Sequence, residues 1–291
     1  MSSLPPPSLP SRPELPEGVH RPEPPAPPER TWERAVPLWS PFAVAFAAFI
    51  LASVSYAVFV AIAGLSAAEA ENAPGPLLGA TFVQDAVLIG GAAFAVHLAV
   101  RSDAAGALGI RPTRLGPALG WGLAVMVVYW ISTGIVVSIF GEPPEQEITE
   151  EIKEETAALA LAGYIGITCV LAPLAEEVFF RGFLFPVLRS RWGTAAGVIA
   201  TGALFSLVHA SGSPAEALIV LFVLGAGLCL LYLRTGSLLP CIGLHALNNA
   251  IAFAVTKEME WSVALVTVVG SVVASVAIAM AFVRRDRPAP A

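Results

Sequence analysis

Eight apolar segments, each near the length that crosses a bilayer, fill most of the chain between residues 39 and 283. A transmembrane helix takes about 20 predominantly apolar residues. By that measure, spans fall near 39–64, 78–100, 115–140, 157–188, 194–210, 215–233, 238–256 and 262–283. The fifth is short, and the boundary between the fourth and fifth is the least sharply marked. Only 13% of the residues are charged and 56% are hydrophobic, with a mean hydropathy of +0.74. A soluble domain carries about 25% charged residues, so this chain lacks the polar surface to stay in water. The expected fold class is all-α: a polytopic membrane helix bundle of about eight transmembrane helices, integral to the membrane and, in a bacterium, to the plasma membrane.

The domain plan follows from the same contrast. Residues 1–36 are dense in proline and mixed charge, with almost nothing to bury. They are expected to be a disordered cytoplasmic tail, and they hold no short apolar core with a cleavage site that would mark a signal peptide. Residues 37–283 make the transmembrane domain, and 284–291 a second cytoplasmic tail. The three cysteines, Cys169, Cys229 and Cys241, lie in apolar runs with no paired framework and no close metal-ligand spacing. They read as small core residues. A net charge of −6 argues against a nucleic-acid partner; the expected partners are the lipid bilayer and a membrane peptide or protein substrate.

Basic residues set the expected orientation. Arg12, Arg21, Arg30 and Arg34 precede the first span. Arg101, Arg111 and Arg114 follow the second, Arg189 and Arg191 the fourth, Arg234 the sixth, and Arg284, Arg285 and Arg287 the last. Opposite them stand only Lys153 and Lys257, while Arg181 lies inside a span. Both termini are therefore expected in the cytoplasm. The outward segment "GEPPEQEITEEIKEET", 141–156, carries seven acidic residues and reads as a short surface helix leading into the fourth span.

Ionisable groups at membrane depth are costly unless paired or hydrated, and they mark function by default. Within the spans these and other polar residues are Gln84, Asp85, His97, Glu176, Glu177, Arg181, His209, His245, Asn248 and Asn249. His97 stands at a span end near Arg101, where an interfacial histidine is ordinary. Gln84 and Asp85 either bond a neighbouring helix or touch substrate. Glu177 and Arg181 are four apart, on one helical face, and can pair internally. Glu176 is turned about 100° away and needs another partner. His245 and Asn249, and Phe205 and His209, repeat the four-residue spacing. Glu176 is 13 residues in from Arg189, His209 15 from Thr194, and Asn249 12 from Ser237. At 1.5 Å per residue these are depths of roughly 18–23 Å. A carboxylate, an imidazole and an amide thus reach a similar level.

The segments "EEVFFR", "FSLVH" and "HALNN" resemble the three motifs of the CPBP family of intramembrane proteases, which includes the type II CAAX prenyl endopeptidases. They are the Glu-Glu-x-x-x-Arg, Phe-x-x-x-His and His-x-x-x-Asn patterns, in the family's order, over about residues 157–256. The resemblance implies that Glu176 and His209 hold and activate a water, and that His245 and Asn249 stabilise the oxyanion formed on a peptide carbonyl. Glu177, Arg181 and Phe205 would support them. General-base and oxyanion chemistry suit these side chains. Zinc on Glu176, His209 and His245 is the mechanistic competitor, but the compact His-Glu-x-x-His signature is absent. No cofactor is favoured. A nucleophilic Cys169 has nothing to mark it as activated. Outside catalysis, two readings stay open: a non-catalytic membrane scaffold or immunity-type partner, and, against the lack of repeated halves, a transporter. The family name implies prenylated CAAX-type substrates; a small membrane peptide is equally compatible with the sequence.

Overall fold

A computed structural model describes residues 31–70, 73–101, 103–141 and 152–283. Most of the proline-rich tail, the acidic stretch at 142–151 and the C-terminal tail lie outside the described residues. The described chain is all helical, and seven helices are long and apolar enough to cross a membrane. They are α1 (Ser40–Ala63), α2 (Pro74–Val100), α3 (Leu115–Phe140), α4 (Ala158–Leu207), α5 (Ala215–Thr235), α6 (Leu238–Thr256) and α7 (Trp261–Ala281). This is a multi-pass integral membrane protein.

The expected eight spans become seven helices because the fourth and fifth share α4. At 50 residues, α4 would be about 75 Å long if straight, more than twice the hydrocarbon thickness. It is not straight. Gly193 has φ 81° and ψ 172°, a left-handed value that glycine adopts without the penalty a Cβ would bring. Beyond it the chain folds back. A Cβ built on Gly197 would lie 3.1 Å from the Cα of Arg189, whereas eight residues of straight helix span about 12 Å. So α4 has a long first arm, 158–192, and a short return arm, 194–207. The return arm rises only about 21 Å, which is why its hydropathy signal was weak.

Two stretches of the first arm, Ile165–Leu171 and Val178–Leu184, are π-helical. Each ends just before an Ala-Pro or Phe-Pro pair, at Ala172-Pro173 and Phe185-Pro186. A proline inside a helix lacks an N–H and crowds the carbonyl four residues back. Widening the preceding turn relieves that conflict without breaking the helix. The six α-helical residues between the two stretches, Ala172–Glu177, carry both glutamates.

The packing order explains which helix is central. α1 packs on α2, α3 on α5, the return arm of α4 on α5, and α6 on α7. α6 also meets the first arm of α4, and 61% of its most apolar window is buried, against 11% for α1. The outer helices instead turn large side chains outward, such as Phe46, Ile62, Leu115, Leu119 and Val266. That is the arrangement lipid allows and water does not. The core gathers Val178, Phe179, Phe180, Phe183, Leu184 and Leu188 of α4 with Leu88, Phe205 and Ile242.

Loop contacts group the ends of the bundle. Arg191 donates to the carbonyls of Glu33 and Val36, and Arg111 to the carbonyl of Gly236. Leu238 N–H donates to Gly109 O. The segments rich in arginine therefore share one end. At the other, Lys257 Nζ donates to the carbonyls of Lys153 and Glu155, and Ile152 is buried beside Leu161 and Met259. Residues 32–35, at the edge of the expected tail, form a helical turn, and Val36 is buried in the core.

Candidate active site

The three motifs meet around a buried ion network. Glu177 and Arg181 have no exposed side-chain surface. Arg181 Nη1 donates to Glu177 Oε1 at 2.7 Å, the pair expected from their spacing. The same oxygen lies 2.9 Å from His245 Nδ1, so one carboxylate joins α4 to α6. Arg181 Nη2 donates to Gly225 O at 2.8 Å, and its guanidinium carbon sits 4.5 Å from the centre of the Phe205 ring. A buried arginine persists only when its charge and donors are met. Here a carboxylate, a carbonyl and an aromatic face meet most of them.

Small residues make the carbonyl contact reachable. A Cβ on Gly202 would come within 3.1 Å of Ala226 N, and one on Gly225 within 3.1 Å of Gly202 Cα. The return arm of α4 and α5 therefore cross backbone to backbone, which carries Gly225 O in to Arg181.

Glu176 is placed differently from its neighbour. Its side chain keeps 18% exposure, and its buried Oε2 has no hydrogen-bond partner among the described residues. That oxygen lies 3.8 Å from His245 Nε2, too far for a direct hydrogen bond. His245 thus faces two carboxylates, one through each ring nitrogen. Its Nδ1–H serves Glu177, which as a carboxylate can only accept.

His209 was expected inside a span, 194–210. The helix instead ends at Leu207, and His209 stands half-buried in the turn beyond it. Its Nδ1 donates to Phe205 O at 2.7 Å, which leaves Nε2 as the acceptor of a neutral ring. Phe205 is a shared wall: its ring centre is 5.1 Å from that of His209 and 5.7 Å from that of His245. Among the described residues no hydrogen bond joins His209 to Glu176.

Asn249 Nδ2 donates to Thr168 O at 2.9 Å, and Asn248 Nδ2 donates to Asn249 Oδ1 at 3.4 Å. Those partners orient the amide and use one of its two N–H hydrogens, leaving the other. Thr168, in the first π-helical stretch, was not singled out from sequence; neither was Gly225, because backbone carbonyls leave no residue signature. The zinc alternative on Glu176, His209 and His245 does not fit. No three His, Cys, Asp or Glu side chains among the described residues are gathered as a metal would need.

Comparison with known proteins places these motifs. The chain is 28% identical over 127 residues to an Escherichia coli protein named "Uncharacterized 24.3 kDa protein", covering 43% of this chain and 58% of that one. It is 27% identical over 150 residues to the Bacillus subtilis (strain 168) protein named "Putative membrane peptidase YdiL", covering 50% of this chain and 59% of the relative. In both cases the match spans less than two thirds of the relative's length. No solved structure matches. Residues 158–251, which hold all three motifs, match the family described as type II CAAX prenyl endopeptidase Rce1-like. Through this region the chain is similar to the Rce1-like type II CAAX prenyl endopeptidase family.

Proposed function

We propose that the protein is an intramembrane endopeptidase that hydrolyses a peptide bond of a membrane-associated substrate with a water activated by Glu176 and His209. One observation carries the reading. In a buried network where Glu177 is paired through one oxygen with both Arg181 and His245, Glu176 keeps partial exposure and makes no hydrogen bond through its Oε2, which stands 3.8 Å from the imidazole. Stability does not require such a group, but a general base does.

The sequence of events balances without a cofactor. Glu176 takes a proton from water as its oxygen bonds to the peptide carbon, and the carbonyl electron pair moves onto oxygen. The free N–H of Asn249 and Nε2–H of His245 face that oxyanion. With Nδ1–H already given to Glu177, His245 can donate through Nε2 only when its ring carries both protons. Glu177 Oε1 accepts from Nδ1 at 2.9 Å and holds the ring in place. Collapse breaks the C–N bond, and the proton passes to the leaving amine from Glu176 or His209.

Detergent-purified protein is expected to keep its cleavage rate after exhaustive chelation. Loss of activity on stripping, with return on adding zinc, would overturn the metal-free mechanism. Substrates are to be captured on the Glu176→Gln protein and their cleavage sites read by sequencing. Recovery of a bound partner that the wild-type protein never cuts would favour a scaffold instead.

We propose also that both termini face the cytoplasm, since the arginine-rich segments gather at one end of the bundle and Lys153 and Lys257 at the other. Reporters at the N-terminus and at Pro288 should both read cytoplasmic. Opposite readings at the two positions would overturn this topology.

A further inference from the structure

Arg34, Ser190 and Arg191 line an open cavity of about 400 Å³ at the arginine-rich end of the bundle. Ser190 and Arg191 lie near the end of the first arm of α4, 14 and 15 residues beyond Glu176. That is roughly 20 Å along the helix, and the reaction above uses none of the three.

Hydrogen bonds fix the walls of this cavity. Arg191 Nη1 donates to Glu33 O at 2.8 Å and to Val187 O at 3.1 Å, and it reaches Ser190 Oγ at 3.3 Å. Nη2 donates to Val36 O, and Ser190 Oγ donates to Val187 O at 2.9 Å. A guanidinium has five N–H hydrogens, so Nε–H and the second hydrogen on Nη2 remain. All of these partners are neutral oxygens, which hold the guanidinium without cancelling its charge. Among the described residues no carboxylate stands within ion-pair distance of Arg34 or Arg191. The Arg34 side chain is exposed and has no hydrogen-bond partner among them either. Glu33, the neighbour that could repel an anion, does not line the cavity, and its Oε2 is buried.

The level of the cavity narrows the choice of anion. Trp39, 67% exposed, immediately precedes α1, and Trp192, 51% exposed, immediately follows Arg191. Exposed tryptophans at helix ends mark the headgroup layer of a bilayer. One and two turns into α1, Phe42 and Phe46 face outward toward hydrocarbon. A phospholipid would meet both surfaces: guanidinium donors for its phosphate and an apolar helix face for its chains. A free phosphate would meet only the first. Two arginines without counter-ions also favour a headgroup of net negative charge over a zwitterionic one.

We propose that this cavity binds the phosphodiester headgroup of an anionic phospholipid, with Arg34 and Arg191 facing the phosphate oxygens and Ser190 holding the Arg191 guanidinium. The bound lipid ties the segment 32–36 to the corner at which α4 reverses. A ligand taken up only by the folded chain stabilises it as occupancy rises.

The test titrates the full chain in detergent with phosphatidylglycerol, phosphatidylcholine or inorganic phosphate, reading the thermal midpoint and the lipid retained in native mass spectra. Phosphatidylglycerol should raise the midpoint saturably and stay bound; the other two should do neither. Arg34→Ala should weaken the phosphatidylglycerol response by about fivefold or more, the worth of one arginine at an anionic surface. Arg34 is exposed, so this variant is expected to fold, whereas Arg191 also holds the loop carbonyls. Arg114→Ala, an exposed arginine outside the cavity, should leave the response unchanged. An equal response to phosphatidylcholine, one that Arg34→Ala leaves unmoved, or one that Arg114→Ala weakens as much would each overturn the site. An equal response to inorganic phosphate would make the ligand a soluble anion and overturn the lipid. Cleavage is not read, so failure here leaves the peptidase assignment untouched.

Discussion

Glu177→Gln is expected to lower both the amount of folded protein and the activity, the largest stability effect of any single substitution in the site. Its carboxylate is fully buried and serves Arg181 at 2.7 Å and His245 at 2.9 Å through the same oxygen. Glutamine keeps the shape and can accept from one partner, but it removes the charge that both partners face. Arg181 would remain at zero exposure with no counter-ion, a loss of about 3–5 kcal/mol for a broken buried pair. His245 would also lose the carboxylate acceptor that orients its ring. The measurements are detergent-stable yield, thermal midpoint and turnover per folded molecule. A purely structural Glu177 would lower yield and leave turnover per folded molecule intact. A fall in both is expected, and normal yield would show that Arg181 does not depend on this charge.

How much of this could be read beforehand depends on the range of the signal. The four-residue spacing of Glu177 with Arg181 is local, so helical geometry alone foretold the ion pair. Hydropathy located the apolar segments for the same reason. The contact between Glu177 and His245 joins residues 68 positions apart, and nothing in either motif states which residue of another helix it will meet. Gly225 enters through its carbonyl, a consequence of packing. The span count missed for a different reason: hydropathy does not distinguish two spans from one helix that reverses at a single glycine. His209 was assigned to a helix that stops two residues earlier, within the ordinary uncertainty of helix ends. One available signal went unused. Pro173 and Pro186 mark where the α-helical pattern must yield, and the π-helical stretches lie directly before them.

Glu176→Gln is expected to have the opposite profile from its neighbour: normal folded yield with turnover reduced by about 10²–10⁴-fold, the contribution usual for a positioned general base. The structure separates the two glutamates on the property that matters. Glu176 makes no hydrogen bond through its buried oxygen and stands 3.8 Å from His245, so the amide forfeits no pairing. It also removes a charge from a depth where charge is costly, so yield should equal that of the wild type. What the amide cannot do is take a proton from water. Binding should persist, because the shape of the site and the donors on Asn249 and His245 are unchanged, so the loss should fall on kcat with little change in KM. His209→Asn gives a companion measurement: with Nδ1 held by Phe205 O, the ring offers Nε2 to the same water, and losing it should again lower kcat. Effects of residues that act on one water are not additive, so the double variant should be scarcely slower than Glu176→Gln alone. A folded Glu176→Gln protein that cleaves at the wild-type rate would remove Glu176 as the base.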